Sequence, residues 1–419
     1  MQKPKLILKT DAQLISTSVP TSRALEIEFT APEARQGRES TPLNLALVID
    51  RSGSMSGGKL EQAKLAVGQI LDLMRPVDSV SIVEFDNVVN ITTETDSVTQ
   101  GTRLEMKNAV NLLRPRGSTD LGGGWLTGCE RVARRLTKGR VNRTLLLTDG
   151  QANVGITGIP ELSQHASALF ERGVSTSTFG IGFDFNEHLL EAMANHGGGN
   201  YYYIDNDQRI PELLLEEFKD LAAVTLKNVV LEFNFPAGVY VELLGDWRSE
   251  NDENHLIVNL SDLPANRQVN LFIKLLTPPG NGQLLMNVVI HGTDESDKPF
   301  QVAGDVTLQY ASAEKVAEAE SARDPDQVSR YSSVVLGHYA NQAYKLEREG
   351  RFEEAGNLMD RLMLEHGANI PSSTRARYER ISVEVREGLD ELQRKNYTMD
   401  SYLLKKHRHI EQRTRKEEK

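Results

Sequence analysis

At 419 residues, 39% of them apolar and 26% charged, the chain has the composition of a globular protein and is too long for one ordinary core. Its net charge of −11 excludes a general nucleic-acid binder, and a single cysteine, Cys129, excludes a disulfide framework or a cysteine-rich zinc site. No run approaches the roughly 18 apolar residues of a membrane span, and charges break up the N-terminal stretch where a signal peptide is apolar. A cytoplasmic location with no membrane partner is therefore expected.

In chain order, "RALEIEFT" alternates Leu25, Ile27 and Phe29 on one face, the period of a half-buried strand, and a polar loop, "APEARQGREST", closes this section. From Leu43 to Ala222, buried strands ("LNLALVI", "SVSIVEF", "RTLLLT", "VSTSTFGI") alternate with amphipathic helices. In the first of these helices Leu60, Ala63, Val67, Ile70, Leu71 and Met74 recur at helical spacing until Pro76 ends it. Such alternation predicts a doubly wound, mostly parallel sheet, with ligands beyond the carboxyl ends of its strands. Tyr201, Tyr202 and Tyr203 are assigned to an edge strand, as core rather than as a ligand platform.

From Val224 to Tyr310 the helices disappear. Val269, Leu271, Ile273 and Leu275 alternate, as do Leu284, Met286, Val288 and Ile290, the pattern of an antiparallel sandwich. The N-terminal strands complete this sandwich most economically, which makes the α/β domain an insertion in it. After Ala311 the chain is helical, with one stripe at Tyr331, Val335, Tyr339, Ala343 and Leu346 and another at Ala355, Leu358, Met359 and Leu362; packing against the sandwich is expected. The expected ranges are residues 1–36 and 223–311 for the β-sandwich, 37–222 for the α/β domain and 312–419 for the α-helical C-terminal region. The last segment is a basic, solvated tail in which His407 and His409 are not metal ligands.

The stretch "DRSGSMSGGKL", residues 50–60, admits two readings. Gly53, Gly58 and Lys59 have P-loop spacing, but the residue after the lysine, which must give magnesium a hydroxyl, is Leu60. Asp50, Ser52 and Ser54 instead offer oxygen ligands where the chain curls after a buried strand, suited to Mg²⁺ or Mn²⁺. Three ligands are too few for octahedral coordination. Thr119 in "RGSTDLGGG" and Asp149 in "RTLLLTDGQAN" occupy the same sheet edge and complete the set. Taken alone, Thr119 or Ser118 reads as the cap of a helix starting near Leu121. Gly122, Gly123 and Gly124 are read as permitting close backbone approach around the ion; Asp120 and Asn153 are either rim residues of the site or ordinary loop residues. Lys59 has no part in this reading.

The set Asp50, Ser52, Ser54, Thr119 and Asp149 resembles the metal-ion-dependent adhesion site (MIDAS) of von Willebrand factor type A (VWA) domains. The likeness covers about Leu43 to Asp220 and is most similar to the bacterial and intracellular branch. It implies a Mg²⁺ ion (or Mn²⁺ or Ca²⁺) touched by Ser52, Ser54 and Thr119, with Asp50 and Asp149 acting mostly through water. It also implies a partner protein whose Glu or Asp fills the open coordination position. With no general base recognisable beside the ion, the expectation is a non-enzymatic adaptor. The alternatives are a non-ATPase subunit of a machine containing an AAA+ ATPase, kinase or phosphatase, and a Mg²⁺-dependent phosphoryl-transfer enzyme.

Overall fold

The computed structural model describes residues 3–34 and 40–405, so the basic tail with His407 and His409, and the expected boundary after residue 36, lie outside the described residues. Strands β1 (Lys5–Thr10), β2 (Leu14–Ser16) and β3 (Thr21–Thr30) come first. The α/β section follows as β4 (Leu43–Asp50), α1 (Lys59–Leu73), β5 (Ser79–Phe85), β6 (Val89–Thr95), α2 (Gln100–Asn111), α3 (Leu121–Arg134), β7 (Val141–Thr148), α4 (Ile159–Glu171), β8 (Ser175–Ile181), α5 (Glu187–His196), β9 (Gly198–Ile204) and α6 (Ile210–Ala222). Strands β10 (Val224–Asn234), β11 (Tyr240–Leu244), β12 (Ser249–Asp252), β13 (His255–Pro264), β14 (Gln268–Thr277), β15 (Gln283–Asp294) and β16 (Pro299–Ala311) come next. Helices α7 (Ala313–Ser321), α8 (Pro325–Arg348), α9 (Phe352–His366), α10 (Ser372–Glu387) and α11 (Glu391–Lys405) end the described chain. None of these helices is long and apolar enough to cross a membrane.

The α/β sheet has the order β6-β5-β4-β7-β8-β9, parallel except for β6. Every residue of the central strand β4 is buried, as expected of a strand covered by helices on both faces. Strand β6 has no counterpart in the sequence reading. Its residues are intermediate or exposed, so this antiparallel edge lacks the apolar run that marks the others.

Two glycines of helix α3 face the sheet and let the helix backbone pack directly on strand side chains. An ideal Cβ on Gly124 would fall 2.5 Å from Phe85 Cγ, and one on Gly128 only 2.3 Å from Val48 Cγ2. Gly124 and Gly128 therefore serve helix–sheet packing, whereas Gly122 abuts Ile156 of the loop after β7 and Gly123 abuts Asp120 just before α3. Gly128→Ala gains about 1 kcal/mol of helix propensity but overpacks the core. Overpacking costs about 1–3 kcal/mol, so the net expectation is a loss of up to about 2 kcal/mol, read from urea unfolding.

Two antiparallel-rich sheets, β1-β3-β14-β11 and β12-β13-β10-β15-β16-β2, form the sandwich, and the N-terminal strands contribute to both. Leu25, Ile27, Phe29, Leu231, Phe233, Leu271, Ile273, Val288 and Ile290 fill the space between the sheets. The α/β domain leaves after β3 and returns at β10, and the two crossings run side by side: Thr41 Oγ1 donates to the Val224 carbonyl (3.4 Å) and Thr225 Oγ1 to that of Pro32 (3.3 Å).

The C-terminal helices cover the outer face of one sheet. Phe272, on the opposite side of β14 from Leu271 and Ile273, meets Tyr331 of α8 edge-on at 5.9 Å. The expected packing on the sandwich is only part of their role, because α11 continues onto the α/β domain. There Tyr402 stands edge-on to Tyr201 with ring centroids 5.8 Å apart. All three consecutive tyrosines are buried, with Tyr202 stacked on Phe179 at 4.7 Å.

Candidate metal centre

In the α/β sheet the chain moves from β4 to β5 on one side and from β7 to β8 and β9 on the other. The crevice where the order reverses lies beyond the carboxyl ends of β4 and β7, where open α/β sheets bind ligands. Asp50 is the last residue of β4 and Asp149 the first after β7, so both carboxylates stand at this point. Both are fully buried.

Hydrogen bonds tie the loops together there. Thr148 Oγ1 donates to Asp50 Oδ2 (2.5 Å) and the Ser52 amide to Asp50 Oδ1 (2.8 Å). Ser54 Oγ lies 3.0 Å from Ser52 Oγ and donates to Asp149 Oδ1 at 2.7 Å. The third loop joins through Gly53, whose amide donates to the Gly117 carbonyl (3.1 Å), and through Asn153 Oδ1, which accepts the Thr119 amide (2.9 Å). An ideal Cβ on Gly150 would sit 3.1 Å from Thr119 Oγ1 and 3.7 Å from Ser54 Oγ, so these two hydroxyls converge over the bare face of that glycine.

The structure thus brings Asp50, Ser52, Ser54, Thr119 and Asp149 to one crevice. The α3 cap is Asp120, whose Oδ1 accepts the Gly123 amide at 2.9 Å, so Thr119 is not spent on capping. Asn153 positions Thr119. A further positioning residue, missed in the sequence, is Asp86 just after β5: its side chain accepts from Arg116 Nε (2.7 Å) and its carbonyl from the Asp120 amide (2.8 Å), fixing both ends of the Thr119 loop. Its place at a third strand end was the available signal.

Lys59 was missed as well. Its Nζ donates to Asp149 Oδ2 at 2.6 Å from the first turn of α1. The P-loop spacing is thereby accounted for without phosphate: the lysine neutralises a carboxylate, and Leu60 faces the core.

Burial pushes the Asp50 carboxyl up to about 6, although the Thr148 hydroxyl and the Ser52 amide favour its charged form; the neighbouring Asp149 charge adds to the rise. A buried carboxylate supported by neutral donors is a position that a cation would stabilise. Among the described residues no three His, Cys, Asp or Glu side chains gather as a metal cage. The crevice offers instead three hydroxyls and two carboxylates, all hard oxygen donors, and these fit Mg²⁺, Mn²⁺ or Ca²⁺ rather than a soft metal. Cys129 stands apart from it, buried in the core with its thiol pushed up to about 12 by burial.

Comparison with known proteins agrees with this architecture. Residues 44–216, which hold all five candidate positions, match the von Willebrand factor type A domain. The uncharacterized protein sll0103 of Synechocystis sp. (strain ATCC 27184 / PCC 6803 / Kazusa) is 30% identical over 336 residues, covering 75% of this chain and 79% of that protein. The uncharacterized protein YfbK of Escherichia coli (strain K12) is 30% identical over 266 residues, covering 62% of this chain; the chain spans only 45% of YfbK. Among solved structures, a von Willebrand factor type A protein from Catenulispora acidiphila superposes with a TM-score of 0.72 over 95% of this chain and 96% of its own, at 17% identity, so the likeness is one of fold. With the site loops inside the matched segment and a relative aligned over most of both chains, the chain belongs to the von Willebrand factor type A domain family.

Proposed function

We propose that the chain is a non-catalytic interaction module that grips a Glu or Asp of a protein partner through a divalent cation, Mg²⁺ first. VWA domains are commonly protein-interaction modules, and the convergence of Ser52, Ser54 and Thr119 in front of Asp50 and Asp149 is the observation that carries the reading further. The hydroxyls of Ser52, Ser54 and Thr119 would hold the ion, and the two carboxylates would orient its water. The bound ion supplies an electron-poor centre that accepts an outside carboxylate. Neutral hydroxyls withdraw little of its charge, which is why an anionic partner group is favoured over an amide. Asp50 and Asp149 already accept hydrogen bonds from Thr148, Ser52, Ser54 and Lys59, which leaves neither free as a general base and supports a binding role over hydrolysis.

Ser52→Ala combined with Ser54→Ala tests this. Both positions belong to a short loop rather than to the core, so the double variant is expected to keep the wild-type circular dichroism spectrum. It is expected to lose at least about tenfold in Mg²⁺ affinity by calorimetry and to retain no protein that wild type retains in Mg²⁺ but not in EDTA. Equal retention under all three conditions would place the grip elsewhere on the molecule.

A further inference from the structure

Lys59 contributes a positive charge to the carboxylate that the divalent ion would use. Its Nζ stands 2.6 Å from Asp149 Oδ2 and 3.4 Å from the Ser54 carbonyl oxygen. Asp149 is fully buried, whereas the lysine side chain keeps 25% of its exposure and has a path to water. Gly58, in the left-handed region at φ 118°, starts α1 and fixes the lysine backbone beside the crevice. Gly182, at the end of β8, lies against the lysine tip: an ideal Cβ there would be 3.5 Å from Nζ.

The geometry points to Lys59 as a tethered competitor for the divalent cation, setting the concentration of metal at which the site loads. This rests on the metal-site reading above. An ammonium is a donor only and cannot ligate a metal, and two cations that share one carboxylate repel each other. Loading through Asp149 therefore requires its ion pair with Lys59 to lengthen, and the lysine has solvent to move into. Removing Lys59 could also loosen Asp149, which would weaken metal binding. That effect is the smaller one, because burial and the 2.7 Å bond from Ser54 still hold the carboxylate.

The test is calorimetric titration of Mg²⁺ into the full chain as wild type, Lys59→Met, Lys59→Gln and Lys59→Arg, with melting curves in EDTA and in excess Mg²⁺. Lys59→Met and Lys59→Gln are expected to bind Mg²⁺ on the order of tenfold more tightly than wild type, and Lys59→Arg to stay close to wild type. In EDTA the two neutral variants are expected to melt below wild type, and Mg²⁺ is expected to close that gap. Binding by a neutral variant with none by wild type is the same result in stronger form. Equal or weaker Mg²⁺ affinity in both folded neutral variants overturns the competition while leaving the metal reading in place, as does an arginine variant that binds as tightly as methionine. No Mg²⁺ binding by any of the four overturns both.

Discussion

Asp149→Ala is expected to abolish measurable Mg²⁺ binding in a chain that remains folded. The carboxylate ends the central strand pair of the α/β sheet and receives Ser54 on one oxygen and Lys59 on the other, which ties the loop after β4 to the first turn of α1. Its removal takes away the negative charge that would stand behind the ion's water and the anchor that aims Ser54 into the crevice. A loss of about 100-fold or more in affinity follows if second-shell losses alone reach 10–100-fold. The fold is expected to survive, because the variant removes a buried charge and Thr148 still satisfies Asp50. Asp149→Asn separates the causes: it preserves an acceptor for Ser54 but not the charge. If asparagine binds Mg²⁺ like wild type, geometry and not charge holds the ion; if alanine does, Asp149 is no part of the site.

The candidate site was legible because its chemistry is local. Asp50, Ser52 and Ser54 follow a fully buried strand, and a strand end in a parallel sheet has one place to point, so the residue types alone were enough to expect oxygen donors gathered at one sheet edge. Lys59 and Asp86 were not legible. Each acts through an ion pair across the sheet edge, to Asp149 and to Arg116, and no periodicity records such a pair.

The fold divides along similar lines. Strands with one-sided burial, such as β14 and β15, betray themselves by alternation, but Phe272 breaks the β14 pattern because helices cover that sheet's outer face too. Strand β6 was silent for the opposite reason, being covered on neither face enough to need apolar residues. The glycines of α3 were visible as a run, yet the contacts they permit, with Phe85 and Val48, come from strands far away in sequence. Their role as packing surfaces required the coordinates.

The docking of α11 on the α/β domain was equally hidden, and it leads to the second large expected effect. Lys395→Ala is expected to cost about 3–5 kcal/mol of that docking, the penalty for breaking a buried ion pair from one side. Lys395 Nζ donates to Glu187 Oε2 (3.2 Å) and to the Phe185 carbonyl (2.5 Å), and lies 4.1 Å from the centroid of the Phe185 ring. Both charged side chains are almost wholly buried, so the alanine variant leaves Glu187 with the half-exposed Arg348 as its main counter-charge. The double variant Lys395→Met, Glu187→Gln is expected to recover most of the loss, since it buries no charge. Acidification acts on the same contact. Burial by itself would raise the Glu187 carboxyl, but the charges of Lys395 and Arg348 hold it below its ordinary value of 4.5. Its stabilising contribution is therefore complete above that value and is lost as pH falls through the lower, folded-state one. Hydrogen-exchange protection of α11, each rate divided into the intrinsic rate at the same pH, checks both parts: protection is expected to fall as wild type is acidified from pH 7 to well below 4.5, and to be low already at pH 7 for Lys395→Ala. Slow exchange in the alanine variant would mean that Tyr402 and the apolar contacts suffice. The acceptor carbonyl of Phe185 lies in the turn between β8 and α5, and the same turn sets Gly182 against Lys59. The C-terminal helices thus brace one wall of the candidate metal centre, which a sandwich-only packing of those helices could not do.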